Sequence, residues 1–324
     1  MLLRHVLAFT FIGLLALSGA GPAAAQNWPT RPVTMVVPFP PGGGTDVLGR
    51  IVAQKLSETL GQQVIVENLG GAGGMIGSAR VAHATPDGYQ FVVGSRADAI
   101  NQTLYKHPLY DFKRDLAPVI LVADQPMIII ARKDLPVSGL QDFIAYVKKN
   151  QATLRTGSAG IGSTGYVDCA LFNQAIGVKV QDIPYRGGGP ALGDVVAGHV
   201  PIMFGDIGPV TGLVREGRVK ALGVTVGKRV ETIPEVPTLV EAGLAGYEAN
   251  SWQSLVAPAN VPSPIVTALN KALTAFLAEP ATRSHFVQLG MQPMSSTPQE
   301  FAIYLRAEIA KWAPIINAAG ATED

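Results

Sequence analysis

Four glycine-rich turns hold the residues best placed for chemistry in this 324-residue chain. They read Pro40-Pro41-Gly42-Gly43-Gly44-Thr45-Asp46, Gly70-Gly71-Ala72-Gly73-Gly74, Gly157-Ser158-Ala159-Gly160-Ile161-Gly162-Ser163-Thr164 and Arg186-Gly187-Gly188-Gly189-Pro190. Each lies between a β-like run and a helix-like run. Glycine lets a backbone approach a ligand closely, and a helix start offers free N–H groups at a positive dipole end. Together the turns outline an anion site built mainly from backbone. Thr45 and Asp46 stand at one helix start, and Ser158, Ser163 and Thr164 at another. Such hydroxyls either cap the helix or face a ligand. Asp46 is favoured there by the dipole and can accept from a ligand hydroxyl, an ammonium or an ordered water. Basic residues are scarce: Arg50 is one turn into its helix and Arg186 precedes the fourth turn. An anion would then rest on N–H groups and bridging waters, which suits reversible capture of a carboxylate. Tight turning alone also explains a glycine at a strand–helix junction, and that reading stands for each turn taken singly.

Enzyme chemistry has one candidate. Gly160-Ile161-Gly162-Ser163-Thr164-Gly165 fits GxGxxG after a strand, with Asp182 near the end of the next strand; this is a dinucleotide fingerprint. Ser163 lacks the GxSxG frame, and no P-loop occurs. The five histidines form no pair at metal-ligand spacing, so no metal is expected; no cofactor is expected either, because nicotinamide cofactors are not freely available to an exported protein. Cys169 is the only cysteine, which excludes an internal disulfide and suits a small buried hydrophobe.

The elements that must position these turns alternate. Val33 to Phe39 reads as a buried strand. Val47, Leu48, Ile51, Val52, Leu56 and Leu60 follow at helical spacing, and Gly61 stops that helix. Strands at 64–66 and 89–93 flank a short helix carrying Ile76 and Val81. A second series has strands at 127–131, 154–156, 178–183, 202–204 and 219–224, with helices between them. Trp252 to Ala257 reads as a strand returning to the first series. Val266, Leu269, Leu273 and Phe276 share one helix face, and Thr297-Pro298-Gln299-Glu300 opens the last helix as a capping box, with Gly320 as its stop. Two similar α/β series predict two lobes, each a mainly parallel sheet flanked by helices. Ligands in such sheets bind at the strands' carboxyl ends, so the turns should meet across a cleft between the lobes, with closure around the ligand as the expected motion.

The first 25 residues stand apart: a basic start at Arg4 and His5, an apolar run from Val6 to Leu17, and Ala23-Ala24-Ala25 before Gln26. This pattern predicts a signal peptide cleaved after Ala25 and an exported protein. With Arg4 gone, basic and acidic residues balance, which argues against nucleic acid as a partner. Charged residues are only 15% of the chain and 48% are hydrophobic, as befits a well-cored globular protein.

The chain resembles the periplasmic substrate-binding proteins of tripartite tricarboxylate transporters, the Bug type. The likeness rests on Val36-Val37-Pro38-Phe39-Pro40-Pro41-Gly42-Gly43-Gly44-Thr45-Asp46 and Glu67-Asn68-Leu69-Gly70-Gly71-Ala72-Gly73-Gly74-Met75-Ile76-Gly77. Thr85-Pro86-Asp87-Gly88-Tyr89, Pro184-Tyr185-Arg186-Gly187, Pro190-Ala191, Val236-Pro237-Thr238 and Glu241-Ala242-Gly243 follow in order. The resemblance implies a two-lobed periplasmic-binding-protein fold of type II-like form, closing on a small carboxylated molecule. It implies lobe 1 from 26–125 and 255–324, lobe 2 from 126–254, a monomer, and delivery to membrane permease subunits. Combined with the turns, it nominates Phe39, Gly42, Gly43, Thr45, Asp46, Ser95, Ser158, Ser163, Thr164, Gly188, Ala191 and Asp206 as ligand-binding residues, with none catalytic. Two places depart from the family pattern. Tyr166-Val167 and Ala170 replace a usual His-Leu pair and acidic residue, and Ser95-Arg96-Ala97-Asp98 carries unusual charges. Arg96 either contacts an anionic ligand or sits on the rim. Dicarboxylates, aromatic acids, nicotinate-like acids and amino acids all fit such a site. The alternative is a secreted enzyme, a hydrolase or a dinucleotide-dependent oxidoreductase, using the Gly160 turn.

Overall fold

The computed structural model describes residues 28–247 and 249–318. The expected signal segment and the helix stop at Gly320 lie outside the described residues. The first series runs β1 (Val33–Val37), α1 (Gly44–Leu60), β2 (Val64–Asn68), α2 (Met75–Ala82), β3 (Gln90–Ser95), α3 (Arg96–Leu104), α4 (Phe112–Asp115) and β4 (Leu116–Gln125). The second runs β5 (Met127–Arg132), α5 (Leu140–Asn150), β6 (Arg155–Ser158), α6 (Thr164–Ile176), β7 (Gln181–Pro184), α7 (Gly188–Ala197), β8 (Ile202–Asp206), α8 (Ile207–Arg215) and β9 (Val219–Val224). The chain closes with β10 (Ser251–Pro258), α9 (Ser263–Ala278), α10 (Pro280–Gln288), β11 (Gln292–Pro293) and α11 (Pro298–Ala318).

Two sheets result. The first has the order β11-β4-β10-β3-β1-β2 and the second β7-β6-β8-β5-β9. The α/β two-lobed expectation holds, but each sheet is mixed. β1 lies parallel to β2 and β3, and β6 parallel to β7 and β8. β10, β4 and β11 pair antiparallel, as does β5 with β8 and β9. The reason is the route of the chain. β4 runs directly into β5 with only Pro126 between them, and β10 returns antiparallel between β3 and β4. Each sheet is therefore parallel where helices make the crossovers and antiparallel beside the passage between lobes. Thr225 ties the two passages together: its hydroxyl donates to Ala249 O at 2.9 Å, and its N–H donates to Met127 O at 2.9 Å.

Local signals explain the element ends. Gly61 adopts φ 67°, the left-handed stop expected after α1. The capping box of α11 forms: Glu300 accepts from Thr297 N at 2.8 Å, and Thr297 Oγ1 accepts from Glu300 N at 3.1 Å. α9 buries Ile265, Leu269, Leu273 and Leu277, so its apolar face is turned slightly from the one read at Val266 and Phe276. β4 and α3 went unread in the sequence. Apolar clusters cover both faces of each sheet, and one of them joins Ile100 and Leu104 of α3 and Trp312 and Ile316 of α11 to the second lobe's Ile129, Phe172 and Phe204. The lobes thus share core as well as a cleft.

Candidate functional site

The glycine turns meet in pairs across the cleft. The first faces the fourth: a Cβ on Gly187 would lie 2.5 Å from Pro40 Cδ, and one on Gly189 2.7 Å from Pro41 O. The second faces the third: a Cβ on Gly73 would strike the Ile161 carbonyl, and one on Gly162 the Asn101 side chain. Asn101 Nδ2 donates to Gly73 O at 3.2 Å, and Tyr105 OH donates to Ile161 O at 3.2 Å. This backbone-on-backbone seam is possible only without side chains.

Behind the seam lies a buried cavity of about 40 Å³, whose wall includes Phe39, Gly43, Thr45, Ser95, Ser163, Thr164, Gly188 and Asp206. Five helices begin there. Gly43, Ser95, Ser163 and Asp206 are the N-caps of α1, α3, α6 and α8, and Gly188 is the first residue of α7. The strand–turn–helix sequence of each lobe brings these starts to the strands' carboxyl ends, so five positive dipole ends face one small space. Among the described residues, the wall carries no Lys, Arg or His; its one ionisable side chain is Asp206. Burial pushes the Asp206 carboxyl up, partly offset by the Gly44 N–H and by Arg96. That N–H donates to Asp206 Oδ2 at 3.0 Å, and it crosses from one lobe to the other.

Four nominated residues lie outside this wall. Asp46 points back into its own turn: Oδ2 accepts from Gly42 N at 3.1 Å and from Arg50 Nε at 3.1 Å, and Oδ1 accepts from Asn68 Nδ2 at 2.8 Å. Burial alone would raise its pKa; Arg50, Asn68 and the Gly42 N–H outweigh it and leave the carboxyl below its usual range. Gly42 itself takes φ 90° and abuts Gly189. The Ser158 hydroxyl donates to Asp182 Oδ2 at 2.8 Å and accepts from Gly160 N at 3.2 Å. Ala191 is wholly buried in the core beneath α7.

The wall also holds residues outside the nominated set: Met127, Ala159, Gly165, Met203, Phe204, Gly205, Ser251 and Gln253. Gln253 Nε2 donates to Thr45 Oγ1 at 3.2 Å and to Gln125 Oε1 at 2.9 Å. Its own Oε1 meets no protein partner. The polar pair Gln253-Ser254 inside the strand run Trp252 to Ala257 is the available signal. Arg96 neither lines the cavity nor sits on the rim; it is fully buried. Cys169 is buried as expected, and burial pushes its thiol up, as do the nearby Asp182 and Asp168.

The dinucleotide fingerprint is spent on the seam. Gly160 and Gly162 take φ 110° and 84°, and the loop they shape is held under Asn101 and Tyr105 of the opposite lobe. Asp182 is taken by Ser158.

A two-lobed α/β molecule with its helix starts gathered on an interlobe cavity has the architecture of a periplasmic solute-binding receptor, and its structural relatives are receptors of this class and not enzymes. The profile of the tripartite tricarboxylate transporter family receptor (TctC) matches residues 48–321, and the chain belongs to that family. BugT of Bordetella pertussis is 32% identical over 99% of this chain and 99% of its own length. The periplasmic binding protein BugD superposes with a TM-score of 0.89 at 38% identity, covering 92% of this chain and 100% of that one. Rpa4515 of R. palustris with adipate gives 0.88 at 36% identity, covering 90% and 98%. MatC of Rhodopseudomonas palustris with bound malate gives 0.85 at 36% identity, covering 89% and 100%.

Proposed function

We propose that this protein captures a small carboxylate in the cavity between its lobes and delivers it to the membrane subunits of a tripartite transporter, acting as an exported, periplasmic monomer cleaved after Ala25. The observation that carries this reading is the convergence of five helix starts on one buried, base-free cavity. Free N–H groups at those starts would hold the carboxylate. Adipate and malate in the related structures support a carboxylate ligand.

Phe39, Gly43, Thr45, Ser95, Ser163, Thr164, Gly188 and Asp206 are the proposed contacts, with Gln253 Oε1 as a free acceptor for a ligand hydroxyl or ammonium. Asp46, Gly42, Ser158 and Ala191 would hold the loops in place. The lobes are proposed as 26–125 with 255–324 and as 126–254; the first passage is at Pro126, and because β10 (Ser251–Pro258) lies wholly in the first sheet, the second passage belongs just ahead of Ser251 rather than at 254. A cavity of about 40 Å³ admits only a few waters at roughly 10–15 Å³ each. Entry of an organic acid therefore requires the lobes to part.

The test is a thermal-shift screen of refolded mature protein against organic acids, amino acids and dinucleotides. A ligand that binds only the native state raises Tm by mass action. A rise confined to one class of carboxylates is expected. A rise with dinucleotides and none with acids would sink the receptor reading.

A further inference from the structure

Behind the glycine seam, α3 of the first lobe meets α6 of the second through one ion pair. Arg96 of α3 and Asp168 of α6 are both fully buried and bonded to each other. The same guanidinium donates to Thr164 O at 3.4 Å and to Asn250 O at 2.7 Å, and it lies 4.5 Å from the ring centroid of Trp312 in α11. One side chain thus touches the second lobe, the passage between lobes and the C-terminal helix. Thr164, whose carbonyl it holds, is also part of the cavity wall.

We propose that Arg96 is a positioning residue for the ligand site: in the closed arrangement it neutralises Asp168 of α6 behind the third glycine turn, so the lobes close well only when both charges are present or both are absent. The proposal rests on the reading that the lobes part to admit a ligand. Its physics is asymmetric. Closing strips water from both charges, and their attraction offsets that loss only when both are present. With one partner removed, closure buries a lone charge, whereas the open form hydrates it. Closure is therefore sensitive to the loss of one partner even where the pair as a whole adds little.

The surroundings give this a pH signature. Asp168 faces Arg96, with Asp206, Tyr247 and Cys169 nearby, while Asp124, Glu308 and Tyr304 lie on the α11 side of the guanidinium. Burial pushes the Asp168 carboxyl up to about 6, with Arg96 opposing the rise. Without Arg96 the carboxyl must be protonated before the lobes can close over it. Removing Arg96 lifts that carboxyl further in the closed form, so the closing defect of an Arg96 variant is largest at high pH and shrinks as pH falls toward the ordinary carboxylate range of the open form, where the acid is neutral in both.

Small-angle scattering of ligand-free mature protein tests this at pH 8 and pH 5. Arg96→Met is expected to enlarge the radius of gyration at pH 8 and to return toward wild type at pH 5. Arg96→Met combined with Asp168→Leu is expected to be compact at both. Affinity for malate or adipate, whichever shifts the wild-type Tm, is expected to fall at least about tenfold in the single variant at pH 8 and to recover in the double. A single variant as compact as wild type at pH 8, a double variant as expanded as the single, or an expansion indifferent to pH would overturn the proposal. Should Arg96→Met fail to fold, Asp168→Asn replaces it. That variant leaves a cation that pH does not relieve, so expansion at both pH values is expected and wild-type dimensions would overturn the idea. The scattering needs no ligand, so its failure leaves the receptor reading to be judged by the acid screen alone.

Discussion

The first and third glycine turns look alike in sequence and do different work. A Cβ on Gly43 would meet nothing within 4 Å, and its φ of −87° suits any residue, so this part of the first turn opens on the cavity. Gly160 and Gly162 of the third turn take positive φ and are packed under the opposite lobe, while Ala159, Ser163 and Thr164 of that turn reach the cavity wall. The bracing carboxylates differ as well. Asp46 collects Arg50, Asn68 and the Gly42 N–H and stays ionised, whereas Asp182 has the Ser158 hydroxyl alone and burial raises it to about 6. A glycine fingerprint therefore reports a backbone shape, and what the shape faces decides whether it binds or packs.

Substitutions can break this contrast, beginning with the largest effect. Gly43→Val should fill the cavity and abolish the acid-induced Tm rise while leaving the ligand-free Tm near wild type. A normal rise would remove the first turn from the site. Gly162→Val should instead lower the ligand-free Tm, because a positive φ costs an L-residue roughly 1–2 kcal/mol and the new side chain strikes Asn101. An unchanged Tm would mean the seam yields easily. Asp46→Ala leaves the Gly42 N–H without its acceptor and Asn68 Nδ2 with Phe39 O alone, a loss of about 1–3 kcal/mol, and should weaken ligand binding several-fold with the fold intact. Unchanged affinity would count against the brace.

The smallest effect belongs to Asp182→Asn. The native carboxyl has a pKa of about 6, above its unfolded value, so the folded state holds the extra proton. Stability from this group is then present below about pH 4 and lost as pH rises through 6. The amide should remove that slope and raise Tm slightly at pH 8. A steeper loss of stability with pH in the variant would show that the ionised form is the one the third turn needs.

Much of the architecture was legible because strand, turn and helix alternate with clear periods. β4 hid because Pro118 sits inside it; the strand accommodates the proline beside a register shift against β10. α3 hid because Arg96, Asp98 and Asn101 are all buried, so no polar face marks it. Its capping box, Ser95 with Asp98, is visible in the sequence, yet Arg96 there reads as a ligand contact or a rim residue. The cavity was legible through its helix starts. Gln253 and Met127 were not, since they reach it from strands that the sequence order places far from the turns. Arg96 resolved into neither expected role because its partner, Asp168, lies on a helix of the other lobe.

Trp252 and Trp312 both donate their indole N–H to Glu308 Oε2, at 2.9 and 3.0 Å, and Trp312 also lies against the Arg96 guanidinium. The only other tryptophan, Trp28, bonds Gly88 O at the far side of the first sheet. Arg96 and Trp312 sit on the same lobe, so parting the lobes would instead lift Trp312 off the second lobe's Phe172 cluster and leave the other two indoles in place. The emission spectrum of the unlabelled protein should therefore carry a single-residue signal of opening, readable in real time as a solute is mixed in.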